Sequence, residues 1–501
     1  MLSYTTLQPI FILCLLYLVG LAFYRLYLHP LAHFPGRKLH AISALPCAYY
    51  MAKGRLPFNN RLLHDKYGPV VRISPNELSF TSAQAWEDIY GFKTGGHAQL
   101  PKDPIHLGSV DPLNGFAPIT LLNGVEHGRQ RRAWSYAFSE RALLENEGHI
   151  QGYVDKLINH LRQRECEEVD LASWLSMTTF DIIGDLAFGE SFGCLGKDNL
   201  ASWYKLNFEA FRIAAFEQAT RRLARVNSWM QRSLMALVPN SMRQGRRDHL
   251  THSREKVLQR LAKESERTDF IHYILKQRER FMLDDAEIIV NGATFIAAGS
   301  ETLSNLLTGL VAQLLFNPDK CEKLCHEIRS NFTRPEEINY EQTSRLPFLN
   351  ACLEEGLRLK PPVGEGLLRR VLKGGARIDG YWVPEGASVS VDPWSSSHDP
   401  ANFRDCDDFV PERWLEDEEH YYAGDQPKAM QPFSLGPQGC MGRNLAYMEM
   451  RLILSHLIWH FDIRSTDGAW QWDPAGQMKN LRVYVVWEKL PLNVTLKVVT
   501  T

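Results

Sequence analysis

The sequence lacks any strong excess of charge, since 56 Lys and Arg residues nearly balance 58 Asp and Glu residues and leave a net charge of −2. No overall electrostatic field therefore attracts nucleic acid or selects acidic partners, and we expect no nucleic-acid ligand. The chain also lacks a disulfide framework, because its nine cysteines are odd in number and scattered over 501 residues. Such cysteine usage is typical of a reducing compartment.

One long apolar run, Leu7 to Tyr24, lies at the N-terminus and approaches the roughly 20 residues that cross a bilayer. No charged side chain precedes it, and four basic residues follow: Arg25, His29, Arg37 and Lys38. Basic residues after a membrane span place that side in the cytosol. A cleaved signal peptide would need a basic segment and a small-residue cleavage site, and neither is visible. The run therefore predicts a retained single-pass anchor.

A stretch near the C-terminus, residues 432–446, surrounds one cysteine with glycine and proline: Pro-Phe-Ser-Leu-Gly-Pro-Gln-Gly-Cys-Met-Gly-Arg-Asn-Leu-Ala. It predicts a turn that leads into a helix. Three glycines let the backbone wrap closely around the Cys440 sulfur: Gly436, Gly439 and Gly442. Helix N-terminal N–H groups then favour its thiolate form, which suits one axial bond to a haem iron. Phe433 can lie against the haem ring.

The ordinary interpretation of a lone cysteine is a small buried apolar residue, but the long Phe-x-x-Gly-x-x-x-Cys-x-Gly spacing favours the haem ligand. This spacing resembles the haem-binding loop of the cytochrome P450 monooxygenases, which implies haem b with Cys440 as its proximal ligand. That family usually carries Arg or His two residues before the cysteine, to pair with a haem propionate. This chain has Gln438, which can hydrogen-bond but carries no charge, so its contact with a propionate stays open.

A second motif, Ala298-Gly299-Ser300-Glu301-Thr302, lies inside the longest helical pattern, Asp284 to Phe316. Gly and Thr inside a helix cost stability, and Thr competes for a backbone carbonyl, so one interpretation is a kink at a packing site. Upstream of the cysteine, however, the motif resembles the family's oxygen-activation motif. The resemblance implies a groove for dioxygen at Ala298 and Gly299, a hydrogen bond from Thr302, and proton delivery by Glu301 through water.

Basic residues in two other segments are candidates for binding the haem propionates. His127 and Arg131 are four apart on a predicted helix and share one face, which could also be a solvated basic patch. Their spacing resembles the family's propionate-binding helix. In the segment 367–371, the family's register favours Arg369, while Arg370 alternates to the opposite face of a strand and stays open as an alternative.

Three further charged residues resemble the family's buried ion triad, which locks the loop leading to the cysteine. Glu355 and Arg358 are three apart on a helix, and Pro-Glu-Arg-Trp at 411–414 supplies Arg413. A buried triad of this kind is a structural clamp rather than part of the chemistry.

Four other patterns bear on the fold. Residues 67–80 predict a β-hairpin, and 206–216 and 227–237 predict amphipathic helices that resemble the family's lid. The basic run Arg243 to Arg247 predicts a solvated loop. Asn493-Val494-Thr495 is a glycosylation sequon, but in a cytosolic domain we interpret it as part of a strand.

The resemblance extends from the anchor to the last strands and implies a mainly α fold with a small β subdomain and one buried haem. We expect a membrane anchor over 1–28, a Pro-rich hinge over 29–40 and a catalytic domain over 41–501. Because no flavin module is apparent, electrons are expected from NADPH through a separate membrane-bound NADPH–cytochrome P450 reductase. The resemblance further implies a monomer at the endoplasmic reticulum membrane, with its catalytic domain in the cytosol.

The implied activity is hydroxylation or epoxidation of a lipophilic small molecule with dioxygen. Two stretches resemble fungal microsomal enzymes of terpenoid or polyketide metabolism, including trichothecene hydroxylases: Leu-His-Pro-Leu-Ala-His-Phe-Pro-Gly at 28–36 and Phe-Asp-Ile-Ile-Gly-Asp-Leu-Ala-Phe-Gly at 180–189. One alternative is a haem-thiolate isomerase or dehydratase that needs no reductase, although such relatives tend to lose the Thr found here at 302. Another is a non-catalytic membrane haem or lipid-binding protein, which has no use for Glu301 and Thr302.

Replacement of Cys440 by Ser tests the haem ligand. Because a serine hydroxyl does not replace a thiolate, we expect Cys440→Ser to lose the thiolate-type spectrum and all turnover. The measurements are the reduced carbon monoxide difference spectrum and product formation, each compared with haem-replete wild type. A variant that matches wild type in both would contradict the assignment.

Overall fold

The computed structural model describes residues 4–93, 98–106, 108–197, 202–263, 267–416, 419–466, 472 and 480–499. Helices dominate these ranges: α1 (Tyr4–Phe23), α2 (Lys38–Ile42), α3 (Leu45–Ala52), α4 (Leu56–Tyr67), α5 (Ala83–Tyr90), α6 (Gly124–Ser135), α7 (Glu140–Arg162), α8 (Leu171–Phe188), α9 (Ser202–Leu223), α10 (Trp229–Ala236), α11 (Asn240–Leu261), α12 (Phe270–Phe281), α13 (Asp285–Phe316), α14 (Pro318–Asn331), α15 (Tyr340–Ser344), α16 (Pro347–Leu359), α17 (Pro393–Ser397), α18 (Glu419–Tyr422) and α19 (Arg443–His460).

The strands are short: β1 (Val70–Ser74), β2 (Glu77–Phe80), β3 (Glu168–Asp170), β4 (Arg369–Arg370), β5 (Ala376–Ile378), β6 (Tyr381–Val383), β7 (Ser388–Val391), β8 (Phe461–Ser465), β9 (Val483–Tyr484), β10 (Val486–Trp487) and β11 (Asn493–Val498). One sheet has the order β1-β2-β7-β4, in which β2 and β7 are parallel and the other neighbours antiparallel. A second sheet has the order β3-β11-β8, and β5–β6 and β9–β10 form hairpins.

Two clusters of buried apolar side chains organise these elements. The larger cluster lies among the helices and includes Phe180 of α8 and Leu307 of α13. The smaller cluster joins the sheet of β1, β2, β7 and β4 to α5 and includes Trp86 and Val389. This division confirms the predicted mainly α fold with a small β subdomain.

Helix α13 confirms the predicted central helix, and its start is fixed by a capping box. Asp284 accepts the N–H of Ala286 at 2.8 Å, and the Glu287 carboxylate accepts the Asp284 N–H at 3.0 Å. These contacts satisfy N–H groups that the first helical turn leaves unpaired. From 286 to 312 every residue is buried except three: Ala298, Gly299 and Thr302. An otherwise buried helix therefore presents one accessible face.

Two shorter predictions are also confirmed. β1 and β2 pair as the predicted antiparallel hairpin, and the Asn493-Val494-Thr495 sequon lies in β11, paired with β3. The predicted lid segment 206–216 lies within α9, and the segment 227–237 contains the shorter helix α10.

The prediction of a solvated loop over Arg243–Arg247 is wrong, because these residues lie in α11. Arg246 is buried there and pairs with Asp111 at 2.7 Å and with Glu217 at 3.3 Å. It also donates to the Gly108 carbonyl at 3.0 Å. A run of basic residues appears solvent-exposed in the sequence, but acidic partners distant in the chain bury its middle member.

The N-terminal segment is a continuous apolar helix. α1 passes into one π-helical turn at Tyr24–Leu28, and the span Phe11–Leu28 has a mean hydropathy of 2.0 with none of it buried. By length and composition this helix can cross a membrane.

The segment predicted as a Pro-rich hinge is packed onto the β subdomain. Leu31 and Phe34 are buried in the smaller apolar cluster. The Arg72 N–H donates to the Pro35 carbonyl at 2.7 Å, and its guanidinium donates to the Arg25 carbonyl at 2.8 Å. A Cβ on Gly36 would lie 2.6 Å from the Arg72 carbonyl oxygen, so this close approach requires glycine. The hinge is thus fixed to the domain by backbone contacts.

Candidate active site

The loop before α19 forms a tight turn around Cys440. The Cys440 N–H donates to the Phe433 carbonyl at 2.8 Å, and the Gly439 N–H donates to the Gly436 carbonyl at 3.1 Å. Gly436 has φ +68°, and a Cβ there would lie 2.1 Å from the Tyr90 carbonyl oxygen. Glycine is therefore required at 436 by both its dihedral angle and its space.

The Cys440 side chain has an exposed face and is held on its other side by the loop. Burial against the loop raises the pKa of the Cys440 thiol, while the Gly442 N–H and the charges of Arg131 and Arg443 act in the opposite direction. Arg131 also donates to the Gly439 carbonyl at 2.6 Å. These donors and charges favour a thiolate once a cation shares the site.

The structure shows which side chains lie beside Phe433 and Gly442, and the sequence did not predict these neighbours. The Phe433 ring packs against Tyr447, with ring centroids 5.4 Å apart. A Cβ on Gly442 would lie 3.9 Å from Phe138, whose ring centroid is 5.4 Å from that of Phe295 on α13. Phe138 therefore links the cysteine loop to α13, one turn before its accessible face.

Buried basic side chains gather near this loop. Lys102 forms an isolated β-bridge with Arg369, and its ammonium donates to the carbonyls of Ile119 and Leu122 at 2.9 and 2.7 Å. Burial, with Arg369 and Arg131, lowers the pKa of Lys102 to about 7. Burial, with Lys102, Arg131 and Arg369, likewise lowers the pKa of His127 to about 4. Burial is the largest cause of both shifts, and the basic neighbours add to it by disfavouring each other's charged forms.

Arg369 and Arg370 differ in their partners. Arg370 pairs with Asp103 at 2.7 Å. Arg369 is buried over the Tyr90 ring, its Nε has no hydrogen-bond partner, and within the described ranges it has no carboxylate partner. Arg369, unlike Arg370, is therefore a cation without a carboxylate partner among the described residues, and its contact with a propionate stays a prediction.

Gln438 lies beside the same cluster. Its amide donates to Asn123 at 3.4 Å, and Asn123 accepts the Lys102 N–H at 2.9 Å. The Gln438 carbonyl oxygen is buried without a hydrogen-bond partner in the structure.

A haem fits this set of residues. The buried Arg369 and the half-buried Lys102 and Arg131 have no carboxylate partner in the part of the chain that the structure describes, and haem propionates would supply one, because a cation removed from water is costly without a counter-charge. The exposed face of Cys440 supplies a sulfur ligand for iron.

The three clamp residues come together on one carboxylate. Glu355 accepts from Arg358 Nε and Nη2 at 2.8 and 2.7 Å, from Arg413 Nε at 3.2 Å, and from Val410 N–H and Trp414 Nε1 at 2.9 Å each. Burial opposes ionisation of Glu355, but Arg358 and Arg413 outweigh it, so the pKa of Glu355 is lowered. The carboxylate thus joins α16 to the segment before the cysteine loop.

The accessible face of α13 contains only part of the predicted oxygen motif. Thr302 Oγ1 donates to the Ala298 carbonyl at 2.6 Å, and both residues are accessible. A Cβ on Gly299 would lie 2.8 Å from two carbons of Ile183 on α8, so packing is a reason for glycine there. Glu301 is fully buried and pairs with Lys489 at 2.9 Å. The structure therefore separates Glu301 from the Thr302 face.

Sequence reasoning missed Lys102, Asn123 and Lys489. Each is a single polar residue in an irregular segment, with no repeat or spacing that marks it. Only the folded chain brings them to the cysteine loop or to α13.

Comparison with known proteins decides the family, since the cytochrome P450 family model matches residues 44–488. The chain belongs to the cytochrome P450 family. It is 41% identical over 493 residues to cytochrome P450 monooxygenase aba2 of Botryotinia fuckeliana, covering 96% of this chain and 93% of that protein. It is 41% identical over 485 residues to ABA2 of Pyricularia oryzae (94% and 92%) and 40% identical over 491 residues to efuB of Hormonema carpetanum (97% and 95%).

The family membership confirms several predictions. The protein is a cytochrome P450 monooxygenase whose cofactor is a haem with a thiolate ligand, and its similarity to fungal members of the family is confirmed. Such an enzyme acts on a small molecule with a redox partner.

Exchange of Arg369 and of its neighbour tests which arginine binds the haem. Arg369→Gln should release haem from the holoenzyme roughly 10- to 100-fold faster, because a charge-assisted hydrogen bond contributes about 1.5–3 kcal/mol. Arg370→Gln, the matched control, should lower thermal stability by leaving Asp103 unpaired and leave haem release unchanged. Haem transfer to an excess of scavenger protein measures both. Equal release from the two variants would contradict the assignment.

Lys102 should make haem binding depend on pH. Its pKa is about 7 in the structure, and a nearby propionate would raise that pKa toward the ordinary lysine value of about 10.4. Haem binding then takes up a proton above pH 7, so affinity should fall as pH rises through this window. Haem retention measured against pH should show this fall in wild type and in His127→Gln, and not in Lys102→Met. An unchanged slope in Lys102→Met would exclude the lysine.

Proposed function

We propose that this cytochrome P450 hydroxylates or epoxidises a lipophilic small molecule, using dioxygen and electrons from NADPH. The electrons come through a separate NADPH–cytochrome P450 reductase. The observation that supports this most is the accessible face of Ala298, Gly299 and Thr302 on a helix otherwise buried from 286 to 312.

The roles of the residues follow from their contacts. Cys440 binds the iron, and Arg369, Lys102, Arg131 and His127 hold the propionates. When bound, the haem supplies dioxygen activation, which its thiolate ligand promotes by favouring O–O cleavage. Thr302 holds a proton at Oγ1, now donated to the Ala298 carbonyl, and can redirect it toward the accessible face.

The remaining family positions stabilise this arrangement. Gly436 and Gly442 shape the cysteine loop, and Phe433 lies behind it. Glu355, Arg358 and Arg413 clamp the segment that precedes the loop. Loss of the carboxylate would leave the buried Arg358 guanidinium without a carboxylate partner among the residues that the structure describes, whereas Arg413 would keep its pair with Asp425.

Apolar side chains beside the accessible face support a lipophilic substrate. Phe211 of α9, Ala297 of α13 and Val486 of β10 form one buried apolar cluster, and Ala297 precedes Ala298 in the chain. Phe208, also on α9, and Val485, between β9 and β10, pack against this cluster. A site with such walls excludes water and rewards burial of apolar substrate surface.

We further assign residues 1–28 to a single-pass anchor in the endoplasmic reticulum membrane, 29–40 to the hinge and 41–501 to a monomeric catalytic domain in the cytosol. The apolar span Phe11–Leu28 and the basic residues after it support this orientation. The fungal relatives support a place in secondary metabolism, and within it we propose terpenoid or polyketide substrates.

A reconstituted assay with reductase, NADPH and isotopically labelled dioxygen tests this function on a panel of terpenoids and polyketides. We expect one labelled oxygen atom in the product and a thiolate-type carbon monoxide difference spectrum. Product formed without NADPH or dioxygen would instead indicate an isomerase or dehydratase, and haem without turnover would indicate a carrier.

Thr302→Ala should keep the haem and release more of the NADPH electrons as hydrogen peroxide.

A further inference from the structure

Glu301 and Thr302 are adjacent in the chain but occupy different sides of α13, because successive helical residues are about 100° apart. Thr302 is on the accessible face, whereas Glu301 is fully buried. The acid of the motif therefore cannot serve the accessible face in the conformation observed.

A lysine from the C-terminal part of the chain holds Glu301 in this position. Lys489, between β10 and β11, lies 2.9 Å from Glu301 Oε2. Its ammonium also donates to Ser304 Oγ at 2.8 Å and to Ser176 Oγ of α8 at 3.1 Å. The Lys489 side chain retains 11% exposure and that of Glu301 none, so Lys489 is the member of the pair that reaches outward.

Other charged groups lie close enough to Lys489 to affect the pKa of its ammonium or to be affected by it. Asp170, at the start of α8, favours the ammonium, while Lys360, at the end of α16, is disfavoured as a cation by Lys489. Burial lowers the pKa of Lys489, and the interaction with Glu301 opposes this shift. A lysine in this environment is a better proton donor than a lysine in water.

We propose that Lys489 is a positioning residue for proton delivery, which holds the Glu301 carboxylate away from Thr302 and releases it by giving it a proton. This inference rests on the proposed monooxygenase function. The N–H bond of the ammonium breaks and an O–H bond forms on Glu301, leaving a neutral amine and a neutral acid. The ion pair is then gone, and the acid can turn toward Thr302 and pass its proton on. The amine regains a proton from solvent through its exposed part.

The test compares haem-replete Lys489→Met, Lys489→Arg, Glu301→Gln and the double variant Lys489→Met/Glu301→Gln with wild type. Lys263→Met is the matched control, because Lys263 pairs with Glu190 at 3.0 Å on the surface. The first measurement is the infrared spectrum of the resting enzyme at neutral pH. A buried carboxylate without its cation takes up a proton, so a protonated carboxyl band should appear in Lys489→Met and be absent from wild type and from the double variant.

The second measurement is the fraction of NADPH electrons found in product, with its solvent isotope effect. Lys489→Met should form product about tenfold more slowly, a loss smaller than the roughly 10²- to 10⁴-fold usual for a positioned acid or base, and with a larger solvent isotope effect. Lys489→Arg restores the ion pair but does not give up a proton, so it should lack the carboxyl band and remain slow. Lys263→Met should match wild type throughout.

Wild-type coupling and isotope effect in Lys489→Met would overturn the proposal, as would absence of the carboxyl band. If Lys489→Met fails to fold, the double variant decides, because it leaves no unpaired buried charge. Loss of Lys489 should add nothing to the effect of Glu301→Gln, and additive losses of coupling would overturn the proposal. A wild-type enzyme with no NADPH-dependent product would overturn the proposed function instead, while the infrared band still reports on the pair.

Discussion

The buried carboxylate of Glu355 is the contact on which the rest of the site depends. Five donors on two segments converge on it, from Arg358, Arg413, Val410 and Trp414. Arg358 in turn donates to the carbonyls of Ser397, Cys406 and Asp408, so one ion pair fixes the path of the chain before the cysteine loop. Since the group is fully satisfied, the low dielectric strengthens the network rather than penalising it.

The charged groups of the site differ in how far each is paired with an opposite charge. The Glu355 clamp is complete within the protein. The cluster of Arg369, Lys102, Arg131 and His127 consists of basic side chains that have no carboxylate partner within the described segments, and the propionates of a bound haem would supply the missing negative charge. The pair of Glu301 with Lys489 is balanced but close to the catalytic face, so moving one proton changes its charge state. Ion pairing thus stabilises the clamp, and we propose that it also binds the haem propionates and controls proton supply through Glu301.

Motifs with fixed local spacing were predictable from the sequence, and contacts between distant segments were not. The helix that follows Asp284, the Gly-rich turn at Cys440 and the hairpin within 67–80 depend on neighbours within a few residues. The helix over 243–247, the packing reason for Gly299 and the burial of Glu301 depend on partners elsewhere: Glu217, Ile183 and Lys489. The spacing of apolar and polar residues along the sequence does not predict such distant partners. The family resemblance supplied which residues matter, but it did not supply their orientation.

The docked hinge has a consequence for how the enzyme sits on a bilayer. Hydrogen bonds join Pro35 to Arg72 of β1, His29 to Asn76, and the Arg72 guanidinium to the Arg25 carbonyl. The hinge therefore holds the N-terminal helix in a fixed orientation relative to the β subdomain. With α1 as the proposed membrane anchor, the tilt and azimuth of the globular part would follow those of this helix. Adding or removing one residue in that helix would turn the whole catalytic unit by about 100° around the helix axis, together with any entrance used by a lipid-dissolved substrate.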